Sequence, residues 1–217
     1  MEMTLHRALA MRKTTKERIR NEISNGKFIE VAIGVADTVN GVSIEQIKRN
    51  IKASYDKITA LIDNYEALNR AISRANAGVT PEAKIAETEI GGKKYVLTDL
   101  IQLVEVTRFK RALLKAMSLE NSRAVEKVES TAEMVSRRCD TFLAGMAGGD
   151  KGKLTREDID SYTKSFHENN DARLIDPLGL QNLIPKMEKE LSEFETEVDS
   201  RISELNALTR IEVAIRD

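Results

Sequence analysis

Residues 44–76 read IEQIKRNIKASYDKITALIDNYEALNRAISRAN, and the apolar spacing of this stretch decides the fold. Ile44, Ile47, Ile51, Ile58, Leu61, Tyr65, Leu68 and Ile72 follow one another in three- and four-residue steps, broken only where Ser54 takes a seam place. A stripe of this period gathers on one face of an α-helix and must meet another stripe to leave water. Ser43 and Gln46 form a capping-box pattern at its start, and Asn76-Ala77-Gly78 supplies a stop. A helix from Ile44 to Asn76 is about 48 Å long.

The same period returns twice. Leu100, Leu103, Val104 and Thr107 lead into Leu114, Met117, Asn121, Ala124, Val128, Val135 and Phe142. No Pro or Gly interrupts residues 98–144, so the spacing predicts one helix of about 70 Å, capped by Thr98 or Asp99. A last seam runs through Met187, Leu191, Phe194, Val198, Leu205, Leu208 and Ile215, widened by Ile202, with Pro185 placed for a first helical turn. Asn121 is the one polar side chain in the middle seam, where such a residue fixes register or partner choice. The periods are alike but the sequence does not repeat, which argues against a solenoid.

Composition agrees with long helices. Of 217 residues, 32% are charged and only 4% aromatic, with no Trp and three Pro. Stripes of Ile, Leu, Val and Ala between charged faces suit helices lying side by side better than a thick aromatic centre. The formal charge is −1, which gives no global pull toward nucleic acid or an anionic surface. Locally, residues 93–138 hold ten Lys or Arg against six acids, and residues 186–217 hold five against nine. Opposite signs on two striped segments predict that they are mates.

Shorter elements fill the gaps. Leu5, Leu9, Ile19 and Ile23 predict a first helix over about residues 3–24, ended at Asn25-Gly26 and basic on its polar face. Residues 26–42 and 84–97 carry small β elements. In the first, Lys27–Ile33 alternates as a strand and Asn40-Gly41 marks a turn; in the second, Gly91-Gly92 divides a hairpin that the first strand is expected to join. Residues 145–182 read as a loop-rich insertion. It begins at a glycine-rich hinge, holds a short helix from Leu154-Thr155 to about Phe166, and continues as an irregular connection. The fold class is therefore mainly α: a single elongated antiparallel helical bundle or coiled coil over residues 1–217, with a small β-hairpin.

Chemical motifs dissolve under their own requirements. A phosphate-cradling loop at Gly148–Lys153 would need Gly where Ala147 stands and Ser or Thr where Leu154 stands. Read as a calcium loop, the same stretch puts Ala147, Gly149 and Lys151 at the first three oxygen-ligand places and leaves only Asp158. Thr155 capping a helix with acids in its first turn accounts for it without metal. His6, His167 and Cys139 have no second ligand at metal spacing, and Cys139, between Val135 and Phe142, reads as a buried thiol. The acids Glu188, Glu190, Glu193, Glu195 and Glu197 read as a solvated helix face. Neither catalytic residues nor a cofactor are expected.

A single cysteine excludes an intrachain disulfide and fits a reducing compartment. Arg7, Arg12, Lys13, Lys16 and Arg18 interrupt any signal peptide, and the longest apolar run, Val31–Ala36, falls short of the roughly 18–20 residues a spanning helix needs. The expected location is cytoplasmic, or particle-associated in a virion. Basic patches at Arg108, Lys110, Arg111 and Lys115 and on the first helix lack interleaved aromatics, so nucleic acid is not an expected partner. The first helix could lie on an anionic membrane with Leu5, Leu9 and Ile19 down, but packing that face within the chain is the favoured outcome.

The order of signals resembles a family. Leu5-x-x-Ala8-Leu9 with Arg18-Ile19 comes first, then Leu68-Asn69-x-x-Ile72-x-x-Ala75-Asn76, a polar hairpin and Leu97-Thr98-x-Leu100-Ile101. Leu191-x-x-Phe194-x-x-x-Val198-Asp199-x-x-Ile202-x-x-Leu205-Asn206 closes the pattern. This resembles the septicolysin-like family of helical proteins, with 145–181 as an insertion. The resemblance implies a cytolysin, a membrane-active protein; the seams themselves favour a non-enzymatic structural or interaction protein. Its partners would be further copies of itself or other subunits of an assembly such as a phage virion.

Overall fold

The computed structural model describes residues 2–76, 87–90, 93–149 and 155–208. The protein is mainly α, with five helices and six short strands among these residues: α1 Leu5–Asn25, β1 Glu30–Ile33, β2 Thr38–Val39, β3 Val42–Ser43, α2 Ile44–Asn76, β4 Glu87–Ile90, β5 Lys93–Val96, α3 Leu97–Gly149, α4 Arg156–Asn170, β6 Ala172–Ile175 and α5 Leu180–Leu208. The stop at Ala77-Gly78, the Gly91-Gly92 turn, the decoy loop beyond Gly149 and seam residue Ile215 lie outside the described residues.

The chain divides into two compact units. One comprises Met1–Asn25, Asp56–Ala116 and Asn182–Asp217; the other comprises Gly26–Tyr55 and Met117–Gln181.

In the first unit, contacts between side chains fix which helices are neighbours. Glu22 of α1 pairs with Lys57 of α2 at 2.5 Å, and Lys16 of α1 pairs with Glu105 of α3. Tyr65 of α2 meets Glu105 and Phe109 of α3, while Arg74 lies 3.6 Å from Asp99. Rising numbers on α2 thus meet falling numbers on α3, so these two segments run antiparallel. Arg111 of α3 reaches Glu195 of α5. The β4–β5 ladder aligns Glu87 with Val96 and Ile90 with Lys93, and Ile90, Tyr95 and Val96 are buried.

The second unit is built on a different pairing from the one the sequence predicts. β1 pairs antiparallel with β6, Glu30 opposite Ile175 and Ile33 opposite Ala172, and does not join the β4–β5 hairpin. Its partner comes from the stretch read as an irregular connection. Ala172–Ile175 is only four residues long, with Arg173 its one polar residue, too short for its alternation to stand out. One face of this ladder, Ala32 with Ile175, packs on Ile44, with Val39 and Ile47 beside them. The strand itself starts at Glu30; Phe28 and Ile29 precede it, both buried, and the Phe28 amide donates to Glu120 at 2.8 Å.

Asn40 and Gly41 have φ of 52° and 78° between β2 and β3, the conformation a two-residue hairpin turn demands. At the start of α2, Ser43 accepts from the Gln46 amide at 3.3 Å, but the Gln46 side chain turns forward to Asn50 and leaves the box half made. Thr155 and Asp158 make the full reciprocal box at the start of α4. Such caps contribute about 1 kcal/mol.

Three helix ends depart from expectation. α3 runs through Gly145 to Gly149 where a hinge was expected from 145; Gly costs only about 1 kcal/mol in a helix, less than an established helix gains by continuing. α4 continues to Asn170, its last turn closed by the Asp171 amide on the His167 carbonyl. α5 begins at Leu180, placing Pro185 inside the helix beyond its first turn. Asp176 explains the early start: its carboxylate accepts from the amides of Leu178, Gly179 and Leu180 at 3.1, 2.8 and 2.6 Å. Three free donors are satisfied before the helix has turned once.

Gly34 has φ +59°, and a Cβ there would collide with the Asn169 carbonyl at the end of α4. The Gly34 amide donates to the Asp171 carbonyl at 2.7 Å, while Arg173 donates to the carbonyls of Gly34 and Ala36 at 3.0 and 3.1 Å. Gly34→Ala is expected to cost about 2–3 kcal/mol, from the strained backbone and the collision together. Urea denaturation should show the lowered midpoint, and an unchanged midpoint would mean that this turn is not held as described.

Candidate functional site

The seam residues of α2 are mostly inside: Ile44, Ile51, Ile58, Leu61, Tyr65 and Ile72 are buried, and Ile47 and Leu68 half-buried. On α3, Leu114, Met117 and Val135 are buried, while Asn121 and Val128 are half-buried. On α5, Leu191, Val198 and Leu205 are buried, with Met187 and Phe194 half-buried. Full burial of an aliphatic side chain is worth about 1.5–3 kcal/mol, so these stripes supply much of the stability of the fold. Ile62, outside the regular steps, is also buried. Leu5 and Leu9 are exposed and α1 is held instead by Ala8, Thr15 and Ile19; Phe142 at the far end of the α3 seam is exposed as well.

Beside the α2 seam lies a second stripe that apolar spacing does not reveal. Glu66, Asn69 and Ser73 recur at three- and four-residue steps and are buried, as are Asp99 and Thr107 of α3. The Tyr95 hydroxyl donates to Glu66 at 3.0 Å, and Arg70 stands over the Tyr95 ring at 5.1 Å. Arg70 and Arg74 both donate to the Lys94 carbonyl, at 2.9 and 3.3 Å, so two guanidinium groups of α2 clasp β5. Asp99 accepts from the Val96 amide at 3.2 Å. It therefore serves as the third residue of α3 reaching back to its cap, and Thr98 plays no such part.

Deeper along α2, Tyr65 donates to Glu105, which also takes the ammonium of Lys16, and the Tyr65 ring meets Phe109 edge-on at 5.3 Å. Burial and the bond to Glu105 push the Tyr65 hydroxyl up to about 12, and Tyr95 is raised by burial and by Glu66. Both hydroxyls therefore stay protonated at neutral pH and act as donors. For Glu105, burial pulls the carboxyl upward, but the bonds from Lys16 and Tyr65 and the charges of Lys16 and Arg20 win, and it lies below its ordinary value. Burial dominates at Asp99 and raises it, against the Val96 amide and Arg74 and Arg70. Its Oδ1 is buried without a hydrogen-bond partner among the described residues.

The basic α3 segment meets acidic α5 at one bidentate pair. Arg111 donates to both oxygens of Glu195, at 3.0 and 2.6 Å, and to Ser192 at 3.2 Å, while Lys110 stands 5.7 Å over the Phe194 ring. Next to the fork, Val104, Thr107, Arg108, Val198 and Asp199 line a groove of about 400 Å³. Cys139 is buried; His6 is exposed; His167 Nδ1 lies 3.1 Å from both Asp171 oxygens. Among the described residues, no helix is long and apolar enough to cross a membrane, and no group of three His, Cys, Asp or Glu is placed to hold a metal. What the buried polar groups do is positional: they set the β4–β5 hairpin against α2 and α3 and tie α1 to both.

The chain matches no protein-family model, no curated protein and no solved structure.

Glu105 and Asp99 predict opposite pH dependences. A carboxyl lowered on folding stabilises above its unfolded value, so the advantage of wild type over Glu105→Gln should fade as pH drops below 4.5. A carboxyl raised on folding opposes folding once ionised, so wild type should lose ground to Asp99→Asn as pH climbs above 3.8. Thermal melts of the three proteins between pH 3 and 7 decide the matter; parallel curves would remove both assignments.

Proposed function

We propose that this chain is a non-enzymatic structural or interaction protein, an antiparallel helical bundle that assembles with further copies or with other subunits, as a component of a phage virion or a similar particle. The observation that carries this reading is the apolar surface left on its helices after the chain has folded. Ile101, Val104, Leu119, Met134 and Phe142 of α3 are all exposed, as are Ile159 and Tyr162 of α4. Isolated exposed apolar residues are ordinary, but Ile101 with Val104 on α3, and Ile159 with Tyr162 on α4, stand in pairs one turn apart that another protein can dry. The internal polar groups support the same reading, because Tyr65 donates to Glu105 and Tyr95 to Glu66, and Glu105 also holds Lys16, so these groups join elements of the fold.

The second reading, a membrane-active protein as the septicolysin-like resemblance implies, rests on α1. Leu5 and Leu9 are exposed on a helix that also carries Arg7, Lys13, Arg18 and Arg20 at its surface. Sedimentation equilibrium of the full chain should show mass rising with concentration beyond the 24.3 kDa monomer. A strictly monomeric species at high concentration removes self-assembly. Leakage of anionic liposomes at low protein concentration, abolished by Leu9→Glu, would put the membrane reading in its place.

A further inference from the structure

Burial along the apolar stripe of α3 breaks at Phe142. Val135 and Cys139 are each 2% exposed, yet Phe142, one step further along the same face, is 43% exposed. α4 repeats the pattern. It has no buried residue, and its one apolar stripe, Ile159, Tyr162 and Phe166, opens toward the helix start, with Ile159 39% and Tyr162 42% exposed. The Phe142 and Phe166 rings lie 5.5 Å apart at 30°. That contact falls about two turns before the end of α3 and about three turns after the start of α4, so with so short a connection the helices lie antiparallel. The second unit thus holds a helical hairpin whose two stripes meet at the phenylalanines and leave Phe142, Ile159 and Tyr162 exposed toward the end where α4 starts.

We propose that this end of the α3–α4 hairpin is a homodimer interface, covered by the same hairpin of a second copy. Two hairpins that each present a pair of apolar stripes complete a four-helix bundle, the arrangement in which such stripes leave water. Charge points to a second copy as the occupant. Residues 134–149 of α3 carry Arg137 and Arg138 against Asp140, whereas α4 carries four acids against Arg156 and Lys164. A two-fold axis sets the basic α3 of one copy beside the acidic α4 of the other, twice, which is the self-complementarity an isologous interface needs. An anionic surface or an acidic peptide would meet the acids of α4 with like charge.

The inference rests on the assembly reading and names its partner and its face. Full-length wild type is expected to sediment as a reversible dimer. Tyr162→Asp and, separately, Ile159→Lys place an unpaired charge at the centre of the interface and should weaken the dimer at least about a hundredfold. Both sites are exposed in the single chain, so the variants should keep wild-type far-UV circular dichroism and melting. Val35→Asp, on a more exposed apolar residue that follows Gly34 at the opposite, C-terminal end of α4, should leave the dimer unchanged. Self-association that Tyr162→Asp and Ile159→Lys leave intact overturns the interface but not the assembly reading. A monomeric wild type overturns both the interface and self-assembly. Binding to phosphatidylglycerol vesicles lost in Tyr162→Asp would assign the face to lipid and overturn the dimer.

Discussion

Glu105 is the carboxylate on which three helices of the first unit converge, and their arrangement depends on its two partners. Tyr65 stands in the α2 seam, where its ring is an apolar group like its neighbours, but its hydroxyl must find an acceptor once buried. Glu105 supplies that acceptor from α3 and is itself neutralised by Lys16 from α1. α1 needs this joint more than the others do. It buries only Ala8, Thr15 and Ile19, so its place is set less by apolar area than by the Lys16–Glu105 and Glu22–Lys57 pairs.

A second carboxylate does comparable work at greater cost. Asp99 is shut away from water, and one of its oxygens has no hydrogen-bond partner among the described residues, which opposes folding. Its other oxygen caps the first turn of α3 through the Val96 amide and lies near Arg74, whose guanidinium also holds β5. One acid therefore joins the end of the hairpin, the start of the longest helix and the middle helix. The desolvation cost is offset because three elements would otherwise each need their own restraint.

The legible part of this fold was whatever repeats within a helix. α2 was readable to its first and last residues because its period is broken only at Ser54 in about nine turns, and Thr155 with Asp158 was readable because a capping box is complete within four positions. The pairing of β1 with β6 was not. It joins residues nearly 150 positions apart through four-residue strands, and neither strand has enough alternation to announce a partner. The early start of α5 was hidden for a related reason: Pro185 is a strong local signal, and Asp176, which outweighs it, acts through backbone amides rather than through a side-chain pattern. The buried stripe of Glu66, Asn69 and Ser73 has helical spacing in plain view, but polar residues at that spacing are ordinarily a solvated face. What inverts the reading is Tyr95 and the α3 residues packed across from them, brought there by the hairpin.

The same limit explains why a heptad seam defines a need and leaves its satisfaction open. Val135, Cys139 and Phe142 are alike as members of a stripe, and period alone gives all three the same fate. Their burial differs because a helix face is dry only where something lies opposite it, and Phe142, though it meets Phe166, stays 43% exposed. In α2 the stripe is covered by the chain itself, so its information is spent on folding. At the α3–α4 hairpin Phe142, Ile159 and Tyr162 stay exposed, and it is there that the proposed second copy sits. The proposed assembly is thus the continuation of the rule that folds the chain, applied where its own described residues leave a stripe exposed.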